Sequence, residues 1–137
     1  MGSVAGSAAL AALVILAACQ RPPRALPDRE SPDARVVRAF LDAYGRRDLE
    51  GMMRHLTEDA VFRGSDEALS KPRIRAFFQS SFQRHPHLRV EAGPITEVRG
   101  TLQVRVRVET DAAWSDVWVF ELRDHRICAY GLASGRR

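Results

Sequence analysis

Asp116 stands in Asp116-Val-Trp-Val-Phe120, an acid carried into a run of apolar residues. A carboxyl buried in such surroundings resists ionisation and can act as an acid or a neutral hydrogen-bond donor. The competing reading is a wetted strand-end carboxylate bonded to a neighbouring turn, since most carboxylates in strands are exposed. Asp66, in the polar stretch Arg63-Gly-Ser-Asp-Glu-Ala-Leu69, is the second candidate acid. Around these acids, Phe40, Tyr44, Phe62 and Trp118 are candidates to line a pocket for an apolar ligand, with Tyr44 adding a hydroxyl. Trp114 and Trp118 could stack on a planar ligand or fill a core.

Other chemistries find little support. His85 and His87 flank Pro86, while His55 and His125 are scattered. A metal centre needs three or four convergent ligands, so none is expected. Ser134 lacks the Gly-x-Ser-x-Gly setting of a nucleophile. No cofactor fingerprint is present, and no cofactor is expected. The net charge of +4 comes from 20 Arg and a single Lys, Lys71, scattered among acids and apolar residues. Nucleic-acid binding calls for clustered cations with aromatics between them, which argues against it here.

The elements that would position these residues are readable in order. Ser31-Pro32-Asp33 is a helix start: a cap, a proline suited to the first turn, and an acid at the positive end of the dipole. Val36, Val37, Phe40, Leu41 and Tyr44 then form one stripe, and Gly45 stops the helix. Asp48 caps a second helix with Leu49, Met52, Met53 and Leu56 on one face. Thr57-Glu58-Asp59 interrupts it, and Ala60-Val-Phe62 is extended. Residues 63–69 are expected as loop. Ser70-Lys71-Pro72 opens a third helix that buries Ile74, Phe77, Phe78, Ser81 and Phe82 and ends at His85-Pro86-His87.

Strands follow. Leu88–Ala92 and Ile95–Val98 are two short pieces around Gly93-Pro94. Leu102 to Val108 alternates strictly, with Gln103, Arg105 and Arg107 on the face away from the valines. Trp114–Leu122 is apolar on both faces at its centre, which predicts an interior strand, and Ile127–Leu132 is the last. Helices first and strands after predict an α+β fold on an antiparallel sheet. Glu121 is expected beside Arg105 and Arg107, on a surface laced with ion pairs that is either solvated or the face of a homodimer. Cys128 reads as a small core residue. Residues 133–137 read as a polar, frayed tail.

In order and spacing these motifs resemble the nuclear transport factor 2-like superfamily, in its SnoaL-like branch. The match runs from Arg47-Asp-Leu-Glu-Gly51 through Glu58-Asp-Ala-Val-Phe62, Pro72-Arg-Ile-Arg-Ala-Phe-Phe78 and Trp118-Val-Phe120 to Arg126-Ile127. The resemblance implies a cone-shaped domain over residues 33–132, three helices packed on a strongly curved, mainly antiparallel sheet. Such domains often hold a pocket and often dimerise through the sheet. Compared with ketosteroid isomerase, Phe40 stands where a tyrosine donor would be and Gly64 where the base would be. Only Asp116 falls at a matching position, that of the oxyanion-hole acid. Two of three roles are thus replaced, which points away from that catalysis. The expected function is non-catalytic binding of a small apolar ligand or a protein partner in or beside the cone. The alternative is a SnoaL-like isomerase, cyclase or dehydratase with Asp116 as its pocket acid, helped by Asp66 or Tyr44.

Residues 1–18 carry no charged side chain, and Val4–Ala18 is continuously small or apolar. At about 1.5 Å per residue the run spans about 22 Å, short of a bilayer core of about 30 Å, and suits a cleaved export signal. Its end, Leu16-Ala-Ala-Cys19, resembles the lipobox of bacterial lipoproteins, which implies lipidation of Cys19 and a membrane partner. Gln20 after the cysteine would place the protein on the periplasmic side of the outer membrane in a Gram-negative cell. Residues 19–32 hold four prolines among polar groups, a semi-extended tether. Mass spectrometry of the membrane fraction should find a lipidated N-terminus at Cys19. Cys19→Ser should release the protein from membranes, and an intact residue 1–18 segment on a soluble product would refute the assignment.

Overall fold

The computed structural model describes residues 30–64 and 67–135. The leader with Cys19, and the candidate acid Asp66, lie outside the described residues.

Helix α1 spans Pro32–Gly45 and begins as its sequence dictates: Ser31 Oγ accepts from the Ala34 amide at 3.1 Å. Its buried face is Ala34, Val37, Phe40, Leu41 and Tyr44. Helix α2, Leu49–Arg54, follows a tight link in which Arg47 takes a left-handed backbone (φ 58°). Asp48 Oδ1 accepts from Gly51 N at 3.0 Å, satisfying one amide that the helix leaves free. Met52 and Met53 are buried against the core.

Strand β1 covers Leu56–Arg63, so Thr57-Glu58-Asp59 continues the chain as strand where an interruption was expected. The two exposed acids are held by cations from elsewhere. Lys71 Nζ donates to Glu58 at 2.9 Å, and Arg123 to Asp59 at 2.6 Å. A second departure lies in the expected loop: Ala68–Ser70 forms a short strand β2 that pairs antiparallel with β1. Three residues carry no readable periodicity, and the pairing comes from the neighbour rather than from propensity.

Helix α3, Lys71–Arg84, buries only Ile74 and Phe78. Phe77, expected inside, is 53% exposed, and Ser81 and Phe82 are half-buried. Strand β3 is continuous over Arg89–Val98, with a register shift between Ala92 and Ile95. Gly93-Pro94 therefore makes a bulge and does not divide two strands, as befits a proline near a sheet edge. Strands β4 (Thr101–Glu109), β5 (Ala113–Arg123) and β6 (Arg126–Leu132) complete the sheet. Two-residue turns join β3 to β4 and β5 to β6. Arg99-Gly100 and Asp124-His125 all take positive φ, the backbone that matches the twist of paired strands.

The six strands run in the order β2-β1-β6-β5-β4-β3, with β5 interior as its apolar centre predicts. All neighbours are antiparallel except β1 and β6. That parallel pair approaches closely at Gly131, where a Cβ would lie 2.7 Å from the Arg63 carbonyl oxygen. The register sets the inner face. Leu102, Val104, Val106 and Val108 of β4 oppose Phe120, Trp118, Asp116 and Trp114 of β5, and Phe120 opposes Tyr130 of β6. Arg105 and Arg107 point outward and are exposed. Glu121 shares that outer face, but its ion-pair partner is Arg63, at 3.2 Å. The helices lie on the inner face of this curved α+β sheet.

Phe40 is at the centre of the core, fully buried, edge-on to Phe120 at 6.0 Å and tilted against Tyr130 at 5.7 Å. Phe40→Ala should cost about 3–5 kcal/mol of unfolding free energy in urea denaturation. A loss below about 1 kcal/mol would mean that the helix does not rest on this ring.

Candidate functional site

A cavity of about 250 Å³ opens between α3 and the inner face of the sheet. Tyr44 from α1, Phe62 from β1 and Leu69 of β2 line it. Ile74, Phe77 and Phe78 come from α3, and Trp118, Tyr130 and Leu132 from the sheet. Exposed side chains mark the rim: Phe77, Trp114 at 43% exposure, and Arg84 beside His85. The cavity exists because α3, 14 residues long, fully buries only Ile74 and Phe78, leaving space that ring edges border and do not fill.

The rings hold each other in place. Tyr44 is edge-on to Phe78 at 5.0 Å and to Trp118 at 5.7 Å. Tyr130 stacks on Trp118 at 6.0 Å and on Phe120 at 5.8 Å, and meets Phe62 at 4.9 Å. Burial disfavours a phenolate, so the Tyr44 hydroxyl is pushed up to about 12. Burial raises Tyr130 further, and its nearness to Tyr44 adds to the effect. The Trp118 indole Nε1–H is buried without a hydrogen-bond partner among the described residues.

Asp116 is placed on the inner face, between Trp114 and Trp118, but it is not part of the cavity lining. Its carboxylate is already engaged. Oδ1 accepts from the Val117 amide at 2.7 Å, and Oδ2 accepts from the Ser134 hydroxyl. Ser134 reaches it because Ala133–Gly135 folds into a 3-10 turn against β5, where a frayed tail was expected. Phe40 likewise stands apart from the lining, behind Phe120 and Tyr130. Of the candidate residues, Tyr44, Phe62 and Trp118 come together at the cavity, while Phe40 and Asp116 do not.

The remaining candidates are dispersed. Among the described residues no three His, Cys, Asp or Glu side chains converge as a metal site. His85 reaches the cavity rim, whereas His87 borders a separate polar cleft with Arg47 and Arg89. Cys128 is half-buried, its thiol donating to the Glu121 carbonyl at 3.4 Å. His55 closes α2 half-buried, and burial, helped by Arg54, lowers its pKa. Sequence reasoning missed Tyr130, Arg84 and Leu132, among others, as lining residues. Arg84 carried one available signal, its place two helical turns beyond Phe77 and one beyond Ser81 on the same face of α3.

This geometry, three helices on the concave face of a six-stranded sheet with a cavity between, defines a nuclear transport factor 2-like domain. The chain belongs to the SnoaL-like domain family, whose profile matches residues 37–130. Among curated proteins nothing matches the sequence. Solved structures share the fold at low identity. An uncharacterised cystatin-fold protein from Novosphingobium aromaticivorans superposes with a TM-score of 0.66 at 16% identity, covering 75% of this chain and 97% of that one. TerC, co-crystallised with polyporic acid, gives 0.63 at 17% identity over 74% of this chain and 90% of its own. An LEH-like epoxide hydrolase of M. tuberculosis gives 0.62 at 18% identity over 74% and 80%.

The chain has two tyrosines, and both line the cavity. Tyrosinate absorbance should therefore fail to appear near pH 10 while the fold persists. Tyr44 should titrate near 12 and Tyr130 only on unfolding. Because the unfolded phenols ionise first, stability should fall as pH rises above about 10. Tyr44→Phe should remove the step near 12. A full two-tyrosine titration at pH 10 in the folded protein would show that the rings are wet.

Proposed function

We propose that this domain binds a small apolar molecule in the cavity between α3 and the sheet, without converting it, while anchored to the cell envelope through Cys19. The observation that carries the reading is the lining. Aromatic rings from α1, α3, β1, β5 and β6 surround about 250 Å³, and the candidate acid Asp116 is outside the lining and bonded to Ser134 and the Val117 amide. Concave, largely apolar sites with a few placed polar groups are what small-molecule binding requires. A proton-transfer enzyme needs a free acid or base within hydrogen-bond reach of the substrate. The anchoring part of the proposal rests on the lipobox-like Leu16-Ala-Ala-Cys19 and the proline-rich tether.

The test uses the intact protein and 2-acetylnaphthalene as a probe. Binding should quench the Trp114 and Trp118 fluorescence. At one hundred times its Kd the probe should raise unfolding free energy by about 2.7 kcal/mol. Ser81→Phe fills the cavity from α3 and should abolish binding while leaving the protein as stable or more so. Asp116→Asn should leave affinity within about twofold, as expected of a group that does not touch the ligand. Turnover of an enolisable or dehydratable substrate, lost in Asp116→Asn, would overturn this reading in favour of a SnoaL-like enzyme with Asp116 as its acid.

A further inference from the structure

A second cleft, of about 430 Å³, lies where the end of α1 meets the start of β3, and it shares only Leu88 with the aromatic cavity. Its polar lining is Arg47, His87, Arg89 and Glu91. Arg47 is the unexpected member. Helix α1 ends in a double-bonded cap: the Arg47 amide donates to the Tyr44 carbonyl at 3.0 Å, and the Asp48 amide to the Ala43 carbonyl at 2.9 Å. The residue at this place in such a cap has a left-handed backbone and is ordinarily glycine. Here it is an arginine at φ 58°. Strained backbone kept at a non-glycine residue is a feature of ligand clamps. The Arg47 side chain crosses to the link between α3 and β3, where Nη1 donates to the Leu88 carbonyl at 3.1 Å. The Leu88 amide donates to the His85 carbonyl at 3.1 Å, so the turn that carries His87 is held from both sides.

That bond occupies one of the five guanidinium donors of Arg47. Neither Arg47 nor Arg89 makes an ion pair among the described residues. Arg89 stands opposite Glu109 in the β3–β4 register, but Glu109 accepts from Nε and Nη2 of Arg107 instead. Glu91, the carboxylate of the lining, stands opposite Arg107. The negative end of the α1 dipole is by itself enough to favour a cation at Arg47. It does not account for His87 and Arg89, which come from a different element and border the same cleft.

We propose that this cleft is a second binding site, one that takes the phosphate group of a ligand different from the apolar molecule of the cavity. Guanidinium groups offer paired donors that match phosphate oxygens, and a concave site with cations in excess concentrates anions. The volume lies within the range of small-molecule sites, about 300–1,000 Å³, and admits a diphosphate or a phospholipid headgroup. The site stands on its own residues and does not depend on what the aromatic cavity holds.

Calorimetry on the intact protein at low ionic strength tests it with two compounds. Inorganic pyrophosphate represents a free phosphate, and dihexanoylphosphatidylglycerol carries a lipid headgroup on short, soluble tails. At least one should bind, and the tighter of the two identifies the source. Removing one charged donor, in Arg89→Gln or in Arg47→Gly, should weaken that binding about tenfold. Glycine suits the left-handed backbone at position 47, so Arg47→Gly should keep the urea midpoint and separate lost binding from lost fold. Arg99→Gln removes the same charge from the turn beyond the far end of β3 and should leave affinity unchanged. Binding by neither compound, or binding that Arg47→Gly and Arg89→Gln leave intact, would overturn the proposal. So would equal weakening by Arg99→Gln, which would reduce the effect to net charge. Each of these results would leave the reading of the aromatic cavity standing.

Discussion

The structure depends on a ladder of rings across the inner face of the sheet. Trp118, Phe120 and Tyr130 lie nearly parallel, with planes 16–28° apart and centroids about 6 Å apart. Strand register produces the ladder. Phe120 opposes Tyr130 across β5 and β6, and Trp118 follows two residues along on the same face. A flat apolar platform of this kind demands edges to cover it, since ring edges carry the positive part of the aromatic quadrupole. Helix α1 supplies them: Phe40 meets Phe120 edge-on, and Tyr44 meets Trp118. One helical turn separates those two residues, so the spacing of α1 and the pleat of the sheet must agree for both contacts to form.

Where that agreement ends, the cavity begins. Past Tyr44 the platform continues to Trp118 and Leu132, but the covering element becomes α3, which commits only Ile74 and Phe78 to full burial. Phe77 shows the consequence. It sits at a position the apolar pattern assigns to the core, yet it is 53% exposed and remains at the rim. Large exposed aromatics beside a concave opening usually mark a binding surface. A stabilising choice in one half of the cone thus makes the other half open. Asp116 belongs to the same economy of space, since its carboxylate bonds to Ser134 and the Val117 amide outside the cavity lining.

Much of this was legible in the sequence, for reasons that differ by element. The caps at Ser31 and Asp48 are local chemistry, and both make the hydrogen bonds their residue types predict. The alternation of β4 is equally local, since its period alone assigns each face. Strand β2 and the 57–59 part of β1 were not legible, because distant segments of the same chain support them by offering Lys71, Arg123 and a free strand edge. The site was legible in part. Tyr44, Phe62 and Trp118 are aromatic on apolar faces and reach the cavity, yet Phe40 satisfies the same description and does not. Depth along the cone separates them, and depth depends on how far α3 lies from the sheet, which no single stretch of chain records. The Ser134–Asp116 contact was hidden for a similar reason: a polar tail carries no periodic signal, and its partner lies 18 residues earlier.

The chain enters the domain through a clamp on Arg38. Its guanidinium donates to Glu30 at 2.9 Å and to the Gly93 carbonyl at 3.1 Å. Mechanically, Glu30, the first described residue, is tied both to α1 and to the bulge of an edge strand. Tension along residues before Glu30 would load an ion pair and one bulge carbonyl first. Those bonds can yield singly, and the cap at Ser31 and the ring ladder behind Phe40 would be spared.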